Sequence, residues 1–65
     1  MEYKFQEGER IRLKKNLTYK GLKKGAIGKV AQQEFYPREF YYVEFTFPDV
    51  TTDTVTLTPD YMEKW

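Results

Sequence analysis

The chain of 65 residues contains no cysteine and no histidine, and serine is missing as well. Without these residue types it cannot form a disulfide framework, a zinc site of cysteine and histidine, or the Ser/His/Asp and Cys/His arrangements of nucleophilic enzymes. No glycine-rich phosphate loop or suitably spaced pair of carboxylates takes their place. We therefore expect no catalytic residue, no metal ligand and no cofactor, and the protein is predicted not to be an enzyme.

Long hydrophobic runs are missing too. No apolar segment approaches the roughly 20 residues that a transmembrane helix needs. The first six residues, Met1 to Gln6, lack the apolar region of a signal peptide. The sequence thus predicts a cytoplasmic protein without a membrane partner.

Aromatic residues, by contrast, make up 18% of the chain within a hydrophobic fraction of 40%. Each buried Phe, Tyr or Trp removes roughly 150–250 Å² from water, which a short chain needs in order to build a core. A chain of this length buries only about 60% of its unfolded surface, so it cannot be divided between two cores. We expect one domain that covers residues 1–65.

Alternation with a period of two is the dominant pattern along the chain. It is clearest from Phe40 to Phe47, where Tyr41, Val43 and Phe45 share one face. Because aromatic and β-branched residues suit a pleated strand, such alternation predicts an all-β fold. Strands are expected at residues 10–14, 26–35, 40–47, 52–58 and 61–65, with a short 3₁₀ turn near residues 59–62 after the Thr58-Pro59-Asp60 helix-entry signal.

Three motifs resemble those of a known architecture. They are Phe5-x-x-Gly8-Glu9-x-Ile11-x-Leu13, Lys24-Gly25-x-x-Gly28-x-Val30 and Tyr41-x-Val43-x-Phe45. In this order they resemble the first three strands of SH3-like small β-barrels of the bacterial KOW and Tudor-like type. The resemblance implies a small SH3-like barrel of four to five antiparallel strands, and it implies no functional residue because the motifs are structural.

The net charge of +1 conceals a strong asymmetry along the chain. Residues 10–33 contain eight Lys or Arg and no acid, whereas residues 34–65 contain seven Asp or Glu and only two basic residues. Most of the lysines lie in or beside residues 14–24, which would form the long first loop of such a barrel. A basic loop attracts phosphates or an acidic protein surface.

The leading hypothesis is therefore a non-enzymatic module that binds an acidic partner. A protein is favoured over nucleic acid, because the sequence pI near 7.9 lies below the value of about 9 that is common for nucleic-acid-binding domains. The candidate residues are Arg12, Lys14, Lys15, Lys20, Lys23 and Lys24, which supply charge, and Tyr19 and Tyr36, which would add apolar or stacking contact at the same rim.

Two other interpretations stay open. Basic and acidic strands can neutralise one another across a sheet, in which case the asymmetry has only a structural role. The protein can also be a structural or assembly subunit without a small-molecule ligand, of the kind that phages or mobile elements encode. We expect a monomer or a weak homo-oligomer. Trp65 is expected to dock on the core, and the threonines at residues 52–58 are expected to face solvent.

Overall fold

The computed structural model describes residues 3–47 and 51–65, which form one antiparallel sheet of five strands. The strands are β1 (Arg10–Leu13), β2 (Ile27–Glu34), β3 (Phe40–Thr46), β4 (Thr52–Leu57) and β5 (Met62–Lys64). They lie in the order β4-β3-β2-β1-β5. The prediction of an all-β protein with four to five antiparallel strands is confirmed, since five are present, and each strand begins and ends within one residue of its expected bounds.

Two short 3₁₀ turns connect the strands. The predicted turn covers Pro59–Tyr61, with Thr58 extended before it and proline at its first position. A second turn at Thr18–Lys20 was not predicted, and it ends at Gly21, whose φ of 70° is left-handed. Glycine adopts that conformation without the steric cost that a Cβ would impose. No helix within the described residues has the length and apolar character needed to span a bilayer.

The alternating apolar residues of the strands form a single core. Tyr41 and Val43 are completely buried, and Phe45 is nearly so. The other buried hydrophobic residues of the described chain are Phe5, Ile11, Leu13, Leu17, Leu22, Val30, Val55, Leu57 and Met62. Because no second layer of secondary structure is available among the described residues to cover this face, the sheet must curve over its own core.

The hydrogen-bonded ladder is open. Strands β4 and β5 are its two edges, and no pairing between them is present in the described part of the chain. Both edge strands nevertheless contribute side chains to the same core, Val55 and Leu57 from β4 and Met62 from β5. The structure therefore shows a curved antiparallel sheet, and closure into a barrel is not part of its hydrogen-bond pattern.

The segment before β1 is fixed to the start of β3 through Tyr41. The Tyr41 hydroxyl accepts hydrogen bonds from the backbone N–H groups of Lys4 (3.0 Å) and Phe5 (3.2 Å), and it donates to the Glu39 carboxylate. Burial, followed by the hydrogen bond to Glu39, raises the pKa of Tyr41 to about 12. The hydroxyl thus stays neutral at ordinary pH and holds the N-terminal segment on the core.

A register shift in β2 supplies another anchor for this segment. The shift lies between Val30 and Gln32, where β2 pairs with β3. An extra residue at a bulge reverses which side chains point inward beyond it. As a result, the Gln33 amide reaches the backbone carbonyl of Phe5 at 2.7 Å. The alternation of the sequence alone did not predict this shift.

Candidate interaction surface

The basic loop between β1 and β2 is an ordered hairpin. Leu17 and Leu22 form an isolated bridge, with N–H to O distances of 2.8 and 3.1 Å in the two directions. Both leucines are buried in the core. At the base of the loop the Gly25 N–H donates to the Leu13 carbonyl at 2.8 Å. These contacts fix the backbone that carries the lysines.

Asn16 also fixes the loop, a role that was not predicted from the sequence. Its side-chain oxygen accepts a hydrogen bond from the backbone N–H of Lys24 at 2.7 Å. Asparagine in a loop commonly bonds to nearby backbone groups, and this tendency was the available signal. The bond joins the two arms of the hairpin across the residues that were predicted to bind a partner.

Three of the predicted binding residues are instead engaged in ion pairs with the acidic half of the chain. The distances from the cationic nitrogen to the carboxylate oxygen are 3.4 Å for Arg12 and Glu63, 3.3 Å for Lys15 and Asp60, and 3.1 Å for Lys20 and Asp53. All three pairs are partly exposed, so each contributes little to stability. They support the structural interpretation of the charge asymmetry for these three cations, because their charge is already neutralised within the chain.

The Lys15 ammonium also lies 4.8 Å from the centre of the Tyr61 ring. Its partner Asp60 accepts a hydrogen bond from the Thr58 hydroxyl, and this bond is the main reason that the pKa of Asp60 lies below its ordinary value. The carboxylate is therefore charged at neutral pH. Lys15 is held between an anion and an aromatic face, which leaves it less available to a partner.

The remaining three predicted cations form the candidate site. Lys14, Lys23 and Lys24 are exposed, and none of them has an ion pair within residues 3–47 and 51–65. Lys14 and Lys24 flank the hydrogen bond between Leu13 and Gly25, so their backbones are neighbours at the base of the loop, and Lys23 precedes Lys24. We call these three residues the lysine cluster. Exposed ammonium groups without an ion pair in the described residues favour a bound anion.

A small apolar hollow lies beside the lysine cluster. Asn16, Thr18, Gly21, Leu22 and Lys23 line it. Its lining includes Leu22, which is otherwise buried in the core. The hollow and the cluster share Lys23, so a ligand that touches one of them lies within reach of the other.

The two predicted tyrosines do not complete this surface. Tyr36 follows the far end of β2, so about 23 Å of strand, at roughly 3.3 Å per residue, separates it from the lysine loop. The expectation that Tyr36 lies at the same rim is therefore wrong, although its side chain is 89% exposed. The predicted contribution of Tyr19 rests on a side chain outside the described part of the structure.

Trp65 is also placed differently from expectation. Its side chain is 62% exposed and does not dock on the core. Instead the Arg10 guanidinium lies 5.5 Å from the centre of the indole ring, and the Trp65 N–H donates to the Arg10 carbonyl at 3.4 Å. The core is already filled by Met62 and the residues of β1, so the indole lies on the outer side of the sheet.

Across the described residues, no three acidic side chains lie close enough together to hold a metal ion. In comparisons with known proteins, the chain matches no family model, no curated protein and no solved structure.

Proposed function

We propose that the protein is a non-enzymatic binding module of the cytoplasm whose lysine cluster recognises an acidic segment of a partner protein. The observation that carries the proposal is the division of the cations in the first loop. Lys15 and Lys20 are neutralised by Asp60 and Asp53. Lys14, Lys23 and Lys24 have no such partner in the described residues, and a rigid hairpin holds them together.

The rigidity of the loop favours binding. Because the Leu17–Leu22 bridge and the Asn16 bond to Lys24 fix the backbone, little conformational entropy is lost there when a partner binds. The loss is then confined to the lysine side chains. An ordered loop presents its charges in one geometry, which gives selectivity as well as electrostatic attraction.

The apolar hollow beside Lys23 defines the chemistry of the partner more closely. A segment with several carboxylates and one aliphatic side chain would contact the cluster through its acids and the hollow through its apolar group. A nucleic-acid backbone offers phosphates but no aliphatic group for the hollow. The low overall charge of +1 also favours a protein partner, since it gives little long-range attraction for a polyanion.

A direct test uses a fluorescent peptide of glutamates with one central leucine, titrated with the protein and followed by anisotropy. We expect the double reversal Lys23→Glu/Lys24→Glu to weaken binding about tenfold or more, since it replaces attraction by repulsion. The control is Arg38→Glu/Lys64→Glu, which changes the net charge equally at exposed positions outside the loop. It should change the affinity by less than about twofold.

Equal weakening by both double variants would mean that only the net charge matters, and it would overturn the proposal. Tighter binding of an oligonucleotide than of the peptide at physiological salt would also overturn it. Reversal of Lys20, which is paired with Asp53, should have a smaller effect than reversal of Lys23.

We further infer that the curved sheet belongs to the SH3-like small barrels. The inference is supported by the strand order β5-β1-β2-β3-β4, by the long loop between the first two strands, and by the 3₁₀ turn between the last two. The shared core of the two edge strands is also consistent with a barrel whose edges approach one another. An experimental structure that places β4 and β5 far apart would overturn this inference.

A further inference from the structure

Among the described residues, one side of strand β4 has no neighbouring strand, and the hydrogen-bond pattern identifies which residues face that side. The Phe47 N–H donates to the Thr51 carbonyl at 2.8 Å, in the same ladder that pairs Phe45 with Asp53. Hydrogen-bonded and non-hydrogen-bonded pairs alternate in an antiparallel ladder. Asp53, Val55 and Leu57 therefore bond to β3, whereas the backbone groups of the intervening threonines point away from the sheet. These threonines are Thr52, Thr54 and Thr56.

This edge lacks the features that usually prevent strand pairing. Within its six residues it has no proline, no lysine and no register shift against β3. All three edge threonines have exposed side chains on the outer face of the sheet. The opposite edge, β5, is only three residues long and carries Glu63 and Lys64. The two edges thus differ in their capacity to accept another strand.

Asp53 is the only charged residue of β4, and it is neutralised from the first loop. The Lys20 ammonium lies 3.1 Å from its carboxylate, although the two residues are 33 positions apart in the sequence. Without Lys20, two copies of this strand would bring like charges towards each other. With this ion pair formed, the side chains of β4 are threonines, the aliphatic residues Val55 and Leu57, and Asp53, whose charge is balanced by Lys20.

We propose that β4 is the interface of a homodimer, in which the strand pairs with β4 of a second copy in antiparallel orientation about a two-fold axis at Thr54. This register places Thr54 opposite its own copy and Thr52 opposite Thr56. All three threonines then occupy hydrogen-bonded positions, as their outward backbone groups require, and about six inter-chain hydrogen bonds form. Asp53 lies opposite Val55 of the partner subunit, so the two acids are not directly opposed.

A second copy fits the edge better than an unrelated strand, because the threonine spacing is symmetric about Thr54 and is therefore self-complementary. Cross-strand threonine pairs are favourable on an exposed sheet face. Pairing of β4 with its own copy uses the same surface on both molecules, so the assembly closes at two chains. The short, charged β5 edge disfavours the head-to-tail alternative, which would lead to a filament.

The first experiment measures the mass of the protein in solution over a range of concentrations by sedimentation equilibrium. We expect a reversible transition from 7.9 kDa to twice that mass. Thr54→Pro removes an N–H that faces away from β3, so the fold should be retained while pairing at the axis is lost. We expect this variant to stay monomeric at concentrations at which the original chain is dimeric, with a circular dichroism spectrum that is unchanged.

Thr54→Val is the matched control, because it preserves the backbone N–H and a β-branched side chain, and it should dimerise as the original chain does. Thr54→Lys is a second variant that keeps every backbone bond. It places two ammonium groups opposite each other at the axis, so dimerisation should weaken at least about tenfold at low salt and recover as salt screens the repulsion.

Disulfide trapping tests the register directly, since the chain has no cysteine of its own. Two cysteines introduced by Thr54→Cys would have Cα atoms about 5.5 Å apart, which a disulfide can bridge. Oxidation should give a covalent dimer with this variant and not with Thr46→Cys, which lies one strand further from the edge. A chain that stays at 7.9 kDa at all concentrations, or a dimer that Thr54→Pro leaves intact, would overturn the proposal.

Discussion

The hydroxyl of Tyr41 accepts a hydrogen bond from the backbone N–H of Phe5 at 3.2 Å, and the two rings pack edge to face with centroids 5.5 Å apart. Both side chains are buried. One tyrosine thus supplies an apolar contact and the only acceptor that the structure shows for that N–H among the described residues. Tyr41 therefore anchors the N-terminal segment by both a hydrogen bond and a ring contact.

Replacement of Tyr41 by phenylalanine should therefore lower the free energy of unfolding by about 1–3 kcal/mol. The ring contact remains, but the buried Phe5 N–H loses its acceptor. Lys4 is affected less, because its N–H also bonds to the Glu39 carboxylate at 3.0 Å. Urea denaturation measures the loss. Tyr36→Phe, at an exposed position, is the control and should have almost no effect.

The same residue predicts a loss of stability in strong alkali. The pKa of Tyr41 rises from 10.0 to about 12 on folding, so folding favours the protonated form. Because the ionised hydroxyl is disfavoured in the folded protein, this group leaves stability unaffected below pH 10 and lowers it as the pH rises towards 12. The difference in unfolding free energy between the original chain and Tyr41→Phe should shrink over that interval. A constant difference would contradict the assignment.

Gly28 faces the core at a point where no side chain fits. A Cβ at this position would lie 2.7 Å from side-chain atoms of both Val43 and Phe45. Since Phe45 and Val43 are buried and cannot move into solvent, Gly28→Ala should destabilise the fold by about 1–3 kcal/mol. Thermal unfolding measures the effect. Lys29→Ala, at the next and exposed position, should leave the melting temperature nearly unchanged.

Trp65 is the one tryptophan of the chain, so its fluorescence reports its environment directly. Because 62% of its side chain is exposed, we expect an emission maximum close to that of free tryptophan and efficient quenching by iodide. Trp65→Ala should cost less than about 1 kcal/mol, the range for an exposed cation–π contact such as that with Arg10. A blue-shifted, protected emission would show instead that the indole docks.

Thr58→Val tests the interaction that lowers the pKa of Asp60. The variant keeps the β-branched shape and removes the hydroxyl that donates to the carboxylate. We expect the pKa of Asp60, followed by NMR titration, to move up towards 3.8. A lowered pKa stabilises the folded state at pH values above the pKa of the unfolded chain. This stabilisation is lost as the pH falls through the pKa of the folded protein. The decrease in the free energy of unfolding in acid should therefore be smaller in Thr58→Val.

The strands could be predicted from the sequence because their alternation is local. Tyr41, Val43 and Phe45 had to share a face of any strand that contained them, and the core confirms it. The bulge between Val30 and Gln32 could not be predicted, because it depends on how β3 pairs with β2. The predicted docking of Trp65 was wrong, because the space available in the core depends on all five strands together.

The candidate site could be predicted only in part, for a similar reason. The concentration of lysines in the first loop is visible in the sequence, but their partners are not. Lys20 pairs with Asp53 and Lys15 with Asp60 only because the fold brings β4 and the last 3₁₀ turn beside the loop. The separation of Tyr36 from the lysines follows from the length of β2, which sets two loops at opposite ends.

The bulge in β2 also determines which changes of length the strand can tolerate. Deletion of Ala31 would remove the extra residue, so Val30, Gln32 and Gln33 would keep their present partners on β3 in an unbroken ladder. Gln33 would stay on the inner face opposite Tyr41, where its amide would still reach the Phe5 carbonyl. The bulge is thus the one place in β2 at which the strand can lose a residue and still keep the inner and outer faces of the residues on both sides.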